Sequence, residues 1–359
     1  MFRENGRHIF AILNAFVMAD YKVFLSRDVQ RKLESIFGQS VVDWPPPARL
    51  TLSLPDLKII DSLPSDTDNG IYIYDREDES LKSHSWHKRL KIKFDLFSPY
   101  RFSKPMIMPY ALHPMHATPE IGGTLKILRS SNRKIRILFA GDAEGYQRKW
   151  IRYPRTKLSR VEVLSTLKER LGKSLRLTDT TQDLNEILAS TYTRQCVLVG
   201  PQARIEWSQW LNIIAQADFF LSPPGIVMPM CHNLVEAMAV GTIPITNYPE
   251  WFTPKLEHLK NCIVFSDEDD LVDKVNMALQ LGEDQLAIIR ENALRYYDLH
   301  LRPENFVKKI EARTENRLNI LMYSERNVAK NSAKLNGKSV LIRGENAVGE
   351  WAWLTSFFG

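Results

Sequence analysis

Three cysteines in 359 residues, Cys196, Cys231 and Cys262, are too few and too scattered for a disulfide framework or a thiolate metal cluster. Two of them sit in apolar runs, which suits a reducing compartment. Long apolar runs are also missing: none reaches the roughly 18 residues of a membrane-spanning helix. The amino-terminal stretch places Arg3, Glu4, Arg7 and His8 ahead of a helically patterned segment, unlike a secretory leader. These absences lead to the expectation of a cytoplasmic protein, with peripheral attachment to a membrane left open. Internal repeats and low-complexity tracts are absent as well. Charge of one sign is only mildly in excess, at +6. Such an excess suits an anionic partner, whether a nucleotide-sugar, nucleic acid or an anionic membrane surface, and is equally that of an ordinary basic protein. A nucleic-acid partner is not expected, because the basic residues are dispersed and no recognition motif is present. What remains is a globular composition, 44% apolar and 25% charged, long enough for two domains of ordinary size.

The most informative stretch is Ala217–Asn247, ADFFLSPPGIVMPMCHNLVEAMAVGTIPITN. Phe219, Phe220 and Leu221 read as a buried parallel strand. Ser222-Pro223-Pro224-Gly225 is a turn signal. From Asn233 to Val240, apolar Leu234, Ala237, Met238 and Val240 recur at helical spacing around a single charge, Glu236. Gly241 has the place of a C′ residue, and Thr242–Thr246 reads as the next strand. In an open α/β sheet, ligands bind outside the carboxyl ends of the strands, where the Gly/Pro loop falls. A helix N-terminus there suits a phosphate or diphosphate, and a carboxylate one turn in suits a ribose diol.

This stretch resembles the sugar-nucleotide-binding segment of GT-B-fold glycosyltransferases, and within those the exostosin-like group. The matching residues are Pro223 and Gly225, then Leu234-Val235-Glu236-Ala237, Gly241 and Ile243-Pro244. The resemblance implies that Glu236 binds the nucleotide ribose and that the Gly225 loop and the helix start hold the diphosphate. Members of that group commonly carry Arg three residues before the Glu; here Asn233 stands there, preceded by His232. The implied fold is α/β, with two Rossmann-like domains facing across a cleft. The implied partners are a nucleotide-sugar donor, which is a substrate and not a cofactor, and a saccharide or lipid-linked acceptor. No essential metal is expected.

Taken in order, residues 7–19 read as a helix and Tyr21–Leu25 as a strand. The opening strand of a nucleotide fold is thus missing or displaced, and Gly6 is all that remains of a glycine loop. The chain is read as truncated there, or as drawing that strand from elsewhere. Residues 28–37 read as helix, and Trp44–Pro47 as an extended connection. Further strands are expected at Asp56–Ile60, Gly70–Tyr74, Leu90–Leu96 and Pro105–Tyr110, with a short helix at Leu81–Lys88. The Pro- and Gly-rich Ala111–Gly123 divides an acceptor-side domain, 1–120, from a donor-binding domain, 121–316. The second domain opens with the strand Lys134–Ala140 and the loop Gly141–Gly145. Its later elements include a helix at Ser159–Leu171, a strand at Cys196–Gly200 and helices at Leu271–Gln280 and Glu283–Leu299. Residues 317–359 form an extension, in which Leu318–Tyr323 and Ser339–Arg343 look strand-like. If Leu318–Tyr323 supplies the strand missing at the N-terminus, the two irregularities cancel.

Glycosyl transfer needs a stabilised leaving diphosphate, an oriented sugar and an acceptor hydroxyl near the anomeric carbon. The donor-binding candidates are Gly141, Arg148, Lys149, Gly225, His232, Asn233 and Glu236. Arg148 and Lys149 follow the second domain's Gly loop, within reach of a phosphate, or form a surface basic cluster. His232 lies beside the diphosphate loop. Glu236 binds the ribose, or pairs with a neighbouring Arg or Lys. Tyr146 and Trp251 are core aromatics or stacking platforms. His113 and His116, at the domain boundary, are the catalytic candidates, since an inverting mechanism wants a base titrating near neutrality. Asp66-Thr67-Asp68 reads as loop, and Asp267–Asp270 as a helix cap. The rival activities are a GT-B-like sugar-nucleotide epimerase and a degenerate, non-catalytic nucleotide- or glycan-binding module.

Overall fold

The computed structural model describes residues 2–31, 51, 53–55, 57–63, 69–76, 84–97, 105–142, 157–336 and 339–343. Trp44–Pro47, Asp66–Asp68, Leu81–Ser83, Tyr146, Arg148 and Lys149 lie outside the described residues. The chain forms two compact units, residues 1–117 with 302–359, and residues 118–301. Each is an α/β unit built on parallel strands, the Rossmann-like class expected from the sequence.

The first unit has a four-stranded parallel sheet in the order β3 (Ile71–Tyr74), β4 (Lys88–Lys93), β12 (Arg317–Leu321), β5 (Met106–Ile107). A separate parallel pair joins β1 (Val23–Ser26) to β2 (Leu57–Ile60). Strand β12 runs parallel to β4, with Leu318 opposite Leu90 and Ile320 opposite Ile92. All four of these side chains are buried, so one apolar face specifies the register. The strand that the sequence lacks at its start is therefore complemented from residues 317–321, in the middle of the first sheet. Residues 302–316, grouped by sequence with the second domain, belong with the first. The helix Pro303–Glu311 begins with Pro at an N1/N2 position and packs on the helix Phe2–Met18. Ser339–Arg343 is not a strand: Val340–Arg343 is helical. Val340, Leu341 and Ile342 have no strand partner among the described residues, and pairing decides a strand where propensity alone cannot.

The second unit is a six-stranded sheet in the order β11-β10-β9-β6-β8-β7, with every pair parallel. Its strands are β6 (Ile135–Phe139), β7 (Leu175–Thr178), β8 (Thr193–Val199), β9 (Ala217–Leu221), β10 (Ile243–Thr246) and β11 (Ile263–Val264). Strand β7 and the helix Thr181–Ala189 were not read from sequence; β7 is a half-exposed edge strand with little apolar signal. On one face, Ile137, Phe139, Phe219, Leu221, Ile243 and Ile245 pack against Val163, Leu164 and Leu167 of the helix Arg160–Arg170 and Leu271 and Val275 of the helix Glu268–Gln280. A Ser159–Glu162 capping box starts the first of these helices. Asp267 caps the second through the Asp270 N–H.

At the amino end of the strands, the fully buried Arg136 meets Asp218 at 3.3 Å and donates to the Ala278 carbonyl at 3.0 Å. Arg290 and the Tyr192 hydroxyl also engage Asp218. Arg133 donates to the Ala217 and Val240 carbonyls at 3.1 and 3.0 Å, just past the ends of two helices, where a cation suits the dipole. Gly241 follows with φ +77, a conformation that favours glycine. This edge is a structural charge network, opposite the carboxyl ends of the strands.

Candidate functional site

From β6 the chain moves first to the β8 and β7 side, then returns to β9, β10 and β11 on the other. The order therefore reverses between β6 and β9, and the crevice at their carboxyl ends is where a ligand fits such a sheet. Two loops emerge there: Ala140–Asp142 after β6, and Ser222–Cys231 after β9.

The second loop is held tightly. The Ser222 N–H donates to the Ile245 carbonyl at 2.8 Å, and the Ser222 hydroxyl lies 3.0 Å from the Tyr248 hydroxyl. The Gly225 N–H donates to the Pro229 carbonyl at 3.0 Å. A Cβ on Gly225 would stand 2.5 Å from the Met228 carbonyl oxygen, so the turn closes only around a residue without one. The loop delivers the chain to Cys231, the N-cap of the helix His232–Ala239, which makes no side-chain cap bond. The first N–H groups of a helix have no partner within it. Here they open at the carboxyl edge of the sheet, at the positive end of the helix dipole.

Gly141 has φ +146 and comes close to that helix start. A Cβ there would lie 3.5 Å from Asn233 Nδ2 and 3.8 Å from Arg160 Nη1. Arg160 is 5% exposed, and its guanidinium donates to the Asp142 carbonyl at 2.5 Å and to Cys231 Sγ at 3.4 Å. Gly141, Asn233, Cys231 and Arg160 thus converge on one point at the switch. Sequence reading placed three of these positions at the site as candidates or as loop, and passed over Arg160. Its only signal was its place just after a Ser N-cap, where a cation opposes the helix dipole. Close by, Lys157 pairs with Glu250 at 2.8 Å and donates to the Asn247 carbonyl. The Asn247 amide in turn donates to the Leu158 carbonyl at 3.1 Å.

Glu236 lies one turn into the helix, on the side of His232 and Asn233 by its i+4 and i+3 spacing. Its side chain is buried, and Trp210 Nε1 donates to Oε2 at 2.6 Å. The Trp210 indole bond is one partner of this buried carboxylate. His232 and Asn233 are half-buried. Trp251 is fully buried, a core aromatic.

His113 and His116 belong to the first unit, their ring centroids 6.4 Å apart. Burial lowers both from the ordinary imidazole value to about 4, with His116 and Arg7 adding to the effect on His113. Both rings are therefore neutral near pH 7 and weaker bases than a solvated histidine. The Met115 N–H donates to His113 Nδ1 at 3.3 Å, so the neutral His113 ring carries its proton on Nε2 and presents a donor. His8, buried edge-on to Tyr110 with ring centroids 6.1 Å apart, is lowered further, to about 3, by burial and then by Arg7. Among the described residues there is no cluster of three or more His, Cys, Asp or Glu side chains fit to hold a metal ion, and no helix is long and apolar enough to cross a membrane.

No protein-family model matches the chain, and no curated protein matches it. Solved structures similar to it include HepE from Anabaena in complex with UDP, at 13% identity over 62% of this chain and 71% of that one, with a TM-score of 0.35. The pneumococcal O-GlcNAc transferase GtfA, in complex with UDP and GlcNAc, is similar at 17% identity over 67% of this chain, with a TM-score of 0.31. The N-terminal domain of trehalose-6-phosphate phosphatase from Candida albicans is similar at 13% identity over 53% of this chain, also with a TM-score of 0.31. The chain spans 44% of the GtfA chain and 44% of the Candida chain. At TM-scores of this size, the similarity carries no weight for what the chain does.

Proposed function

We propose that the chain is a glycosyltransferase of the GT-B type, moving a sugar from a nucleotide-sugar to a saccharide or lipid-linked acceptor. The observation that carries this reading is the meeting of the Gly141 backbone, Asn233 and the start of the helix His232–Ala239 at the switch between β6 and β9. A diphosphate placed there faces the first turn of the helix and its positive dipole end, and Gly141 lets its oxygens approach the backbone. As the bond to the anomeric carbon breaks, charge builds on that diphosphate, and donors already fixed at the site stabilise it without reorganising. No metal is invoked; helix ends and side-chain donors meet the charge. His232 and Asn233 donate to phosphate oxygens, and the Gly225 turn fixes the helix start. Glu236 takes the ribose hydroxyls once the Trp210 indole yields its oxygen. His113 and His116, neutral rings of the first unit, are the candidates to engage the acceptor.

One observation favours a second reading. Glu236 is buried and one of its oxygens is already taken by the Trp210 indole, which suits a module that binds a nucleotide without turnover. Thermal-shift titration with UDP, GDP, CMP and ADP, followed by incubation of the binder's sugar conjugates with mixed saccharide acceptors, separates the two. Transfer to an acceptor, reduced in Glu236→Gln with the fold retained, is the expected result. Nucleotide binding without transfer selects the binding module. No shift with any nucleotide removes both readings.

A further inference from the structure

Strands of a parallel sheet ordinarily bury both faces and read as continuous apolar runs. In the first unit, β4 and β12 alternate instead. Register puts Leu90, Ile92, Leu318 and Ile320 on one face, all of them buried. On the other face it sets Tyr72 beside Arg89 and Tyr74 beside Lys91, with Arg317 on the far side of Arg89. Lys93 follows on that same face, and no acid is present among the residues that β3, β4 and β12 place there. Lys93 sits below the ordinary amine value, first through burial and then through repulsion from Lys91, with Asp95 acting the other way. Solvation accounts for cations that alternate with apolar residues. It does not account for the rings beside them.

Three aromatic rings form a column along β3. Tyr72 stacks on Tyr74 with centroids 5.0 Å apart and planes 10° from parallel, and on Trp86 at 5.2 Å and 24°. Arg89 Cζ lies 5.9 Å from both tyrosine centroids, so one cation spans two rings. Arg89 is buried, while Tyr72, Tyr74, Trp86 and Lys91 are half-buried and Arg317 is exposed. The column is thus fixed from beneath and reaches the surface among cations.

We propose that this face of the first unit binds an acidic saccharide. Its sugar rings pack on the outer rings of the column, and its acid groups meet Lys91 and Arg317 in charge-assisted bonds. The stacking argues against a nucleic-acid strand, which lays successive bases on open ring faces. Tyr72 has a ring on each side, so no base fits between the members of this column. The inference stands on the first unit alone and does not depend on the nucleotide-sugar reading.

Calorimetric titration of the full chain tests it, with the melting temperature of each variant recorded. The acidic probes are a short oligogalacturonate and a sulfated dextran oligosaccharide; the controls are unsulfated dextran of the same length and a short oligothymidylate. At least one acidic probe is expected to bind, with both controls weaker by about tenfold or more. Lys91→Gln and Arg317→Gln are each expected to weaken that probe by about three- to tenfold and to reduce the salt dependence of its binding. Tyr74→Ala is expected to cost about tenfold. Tyr74→Phe keeps the ring and is expected to bind as the parent does; a loss there as large as in Tyr74→Ala overturns the stacking role. Failure of both acidic probes to bind overturns the proposal. Binding left unchanged by Lys91→Gln, Arg317→Gln and Tyr74→Ala places the saccharide elsewhere and overturns it too. Oligothymidylate bound as tightly as the acidic saccharides makes the face a nucleic-acid surface and overturns the assignment.

Discussion

Trp210 Nε1 stands 2.6 Å from Glu236 Oε2, joining the helix Trp207–Ile214 to the helix His232–Ala239 across a buried carboxylate. The indole also packs edge-on to Phe220 of β9, with ring centroids 6.2 Å apart. A buried carboxylate that loses a donor bears more of its desolvation cost. Trp210→Phe keeps the ring against Phe220 and removes the N–H. It is expected to lower the urea unfolding free energy by about 1–3 kcal/mol. Glu236→Gln keeps an acceptor for the indole and is expected to cost less. Equal losses in the two variants would show that packing, and not this bond, sets the cost.

Alkylation of the three cysteines should separate them sharply. Burial pushes the Cys196 and Cys262 thiols up to about 12, so neither yields thiolate at neutral pH. Cys231 is only half-buried and stands beside the Arg160 guanidinium. Iodoacetamide on the native protein is expected to label Cys231 first by mass spectrometry, and a bound nucleoside diphosphate should slow that labelling. Equal labelling of all three without denaturant would contradict the burial described here.

Acid should loosen the first unit through its histidines. His8, His113 and His116 are lowered to about 3, 4 and 4, while an unfolded histidine titrates near 6.5. Between those limits the unfolded chain binds more protons, so stability is full above about pH 6.5 and declines toward pH 4. The slope approaches about 1.4 kcal/mol per pH unit for each such histidine. Calorimetric melting between pH 7.5 and 4.5 should show this decline, and the variant His8→Phe should flatten it. A pH-independent melting temperature over that range would contradict the burial of these rings.

Local pattern made much of the second unit legible. The apolar run Phe219–Leu221, the Pro- and Gly-rich turn and the spacing of Leu234, Ala237 and Met238 foretell strand, loop and helix, because each depends on neighbours within a few residues. The same holds for the Asp267 cap and for Gly241. Strand β7 was not legible, because a half-exposed edge strand carries little periodic signal. Val340–Arg343 reads as a strand by composition and is a helix, because a strand needs a partner that composition does not name.

What the sequence by itself determined is the class of the chain, the place of its helix-opening loop and the chemistry available there, since these follow from short-range pattern and residue type. Tertiary structure alone decided that β12 completes the first sheet, that Trp210 closes over Glu236, and that Arg160 arrives beside Gly141 and Asn233. Residues 18 to 228 positions apart in the chain meet in those contacts. Their meeting depends on the order of strands in a sheet, which no local pattern records.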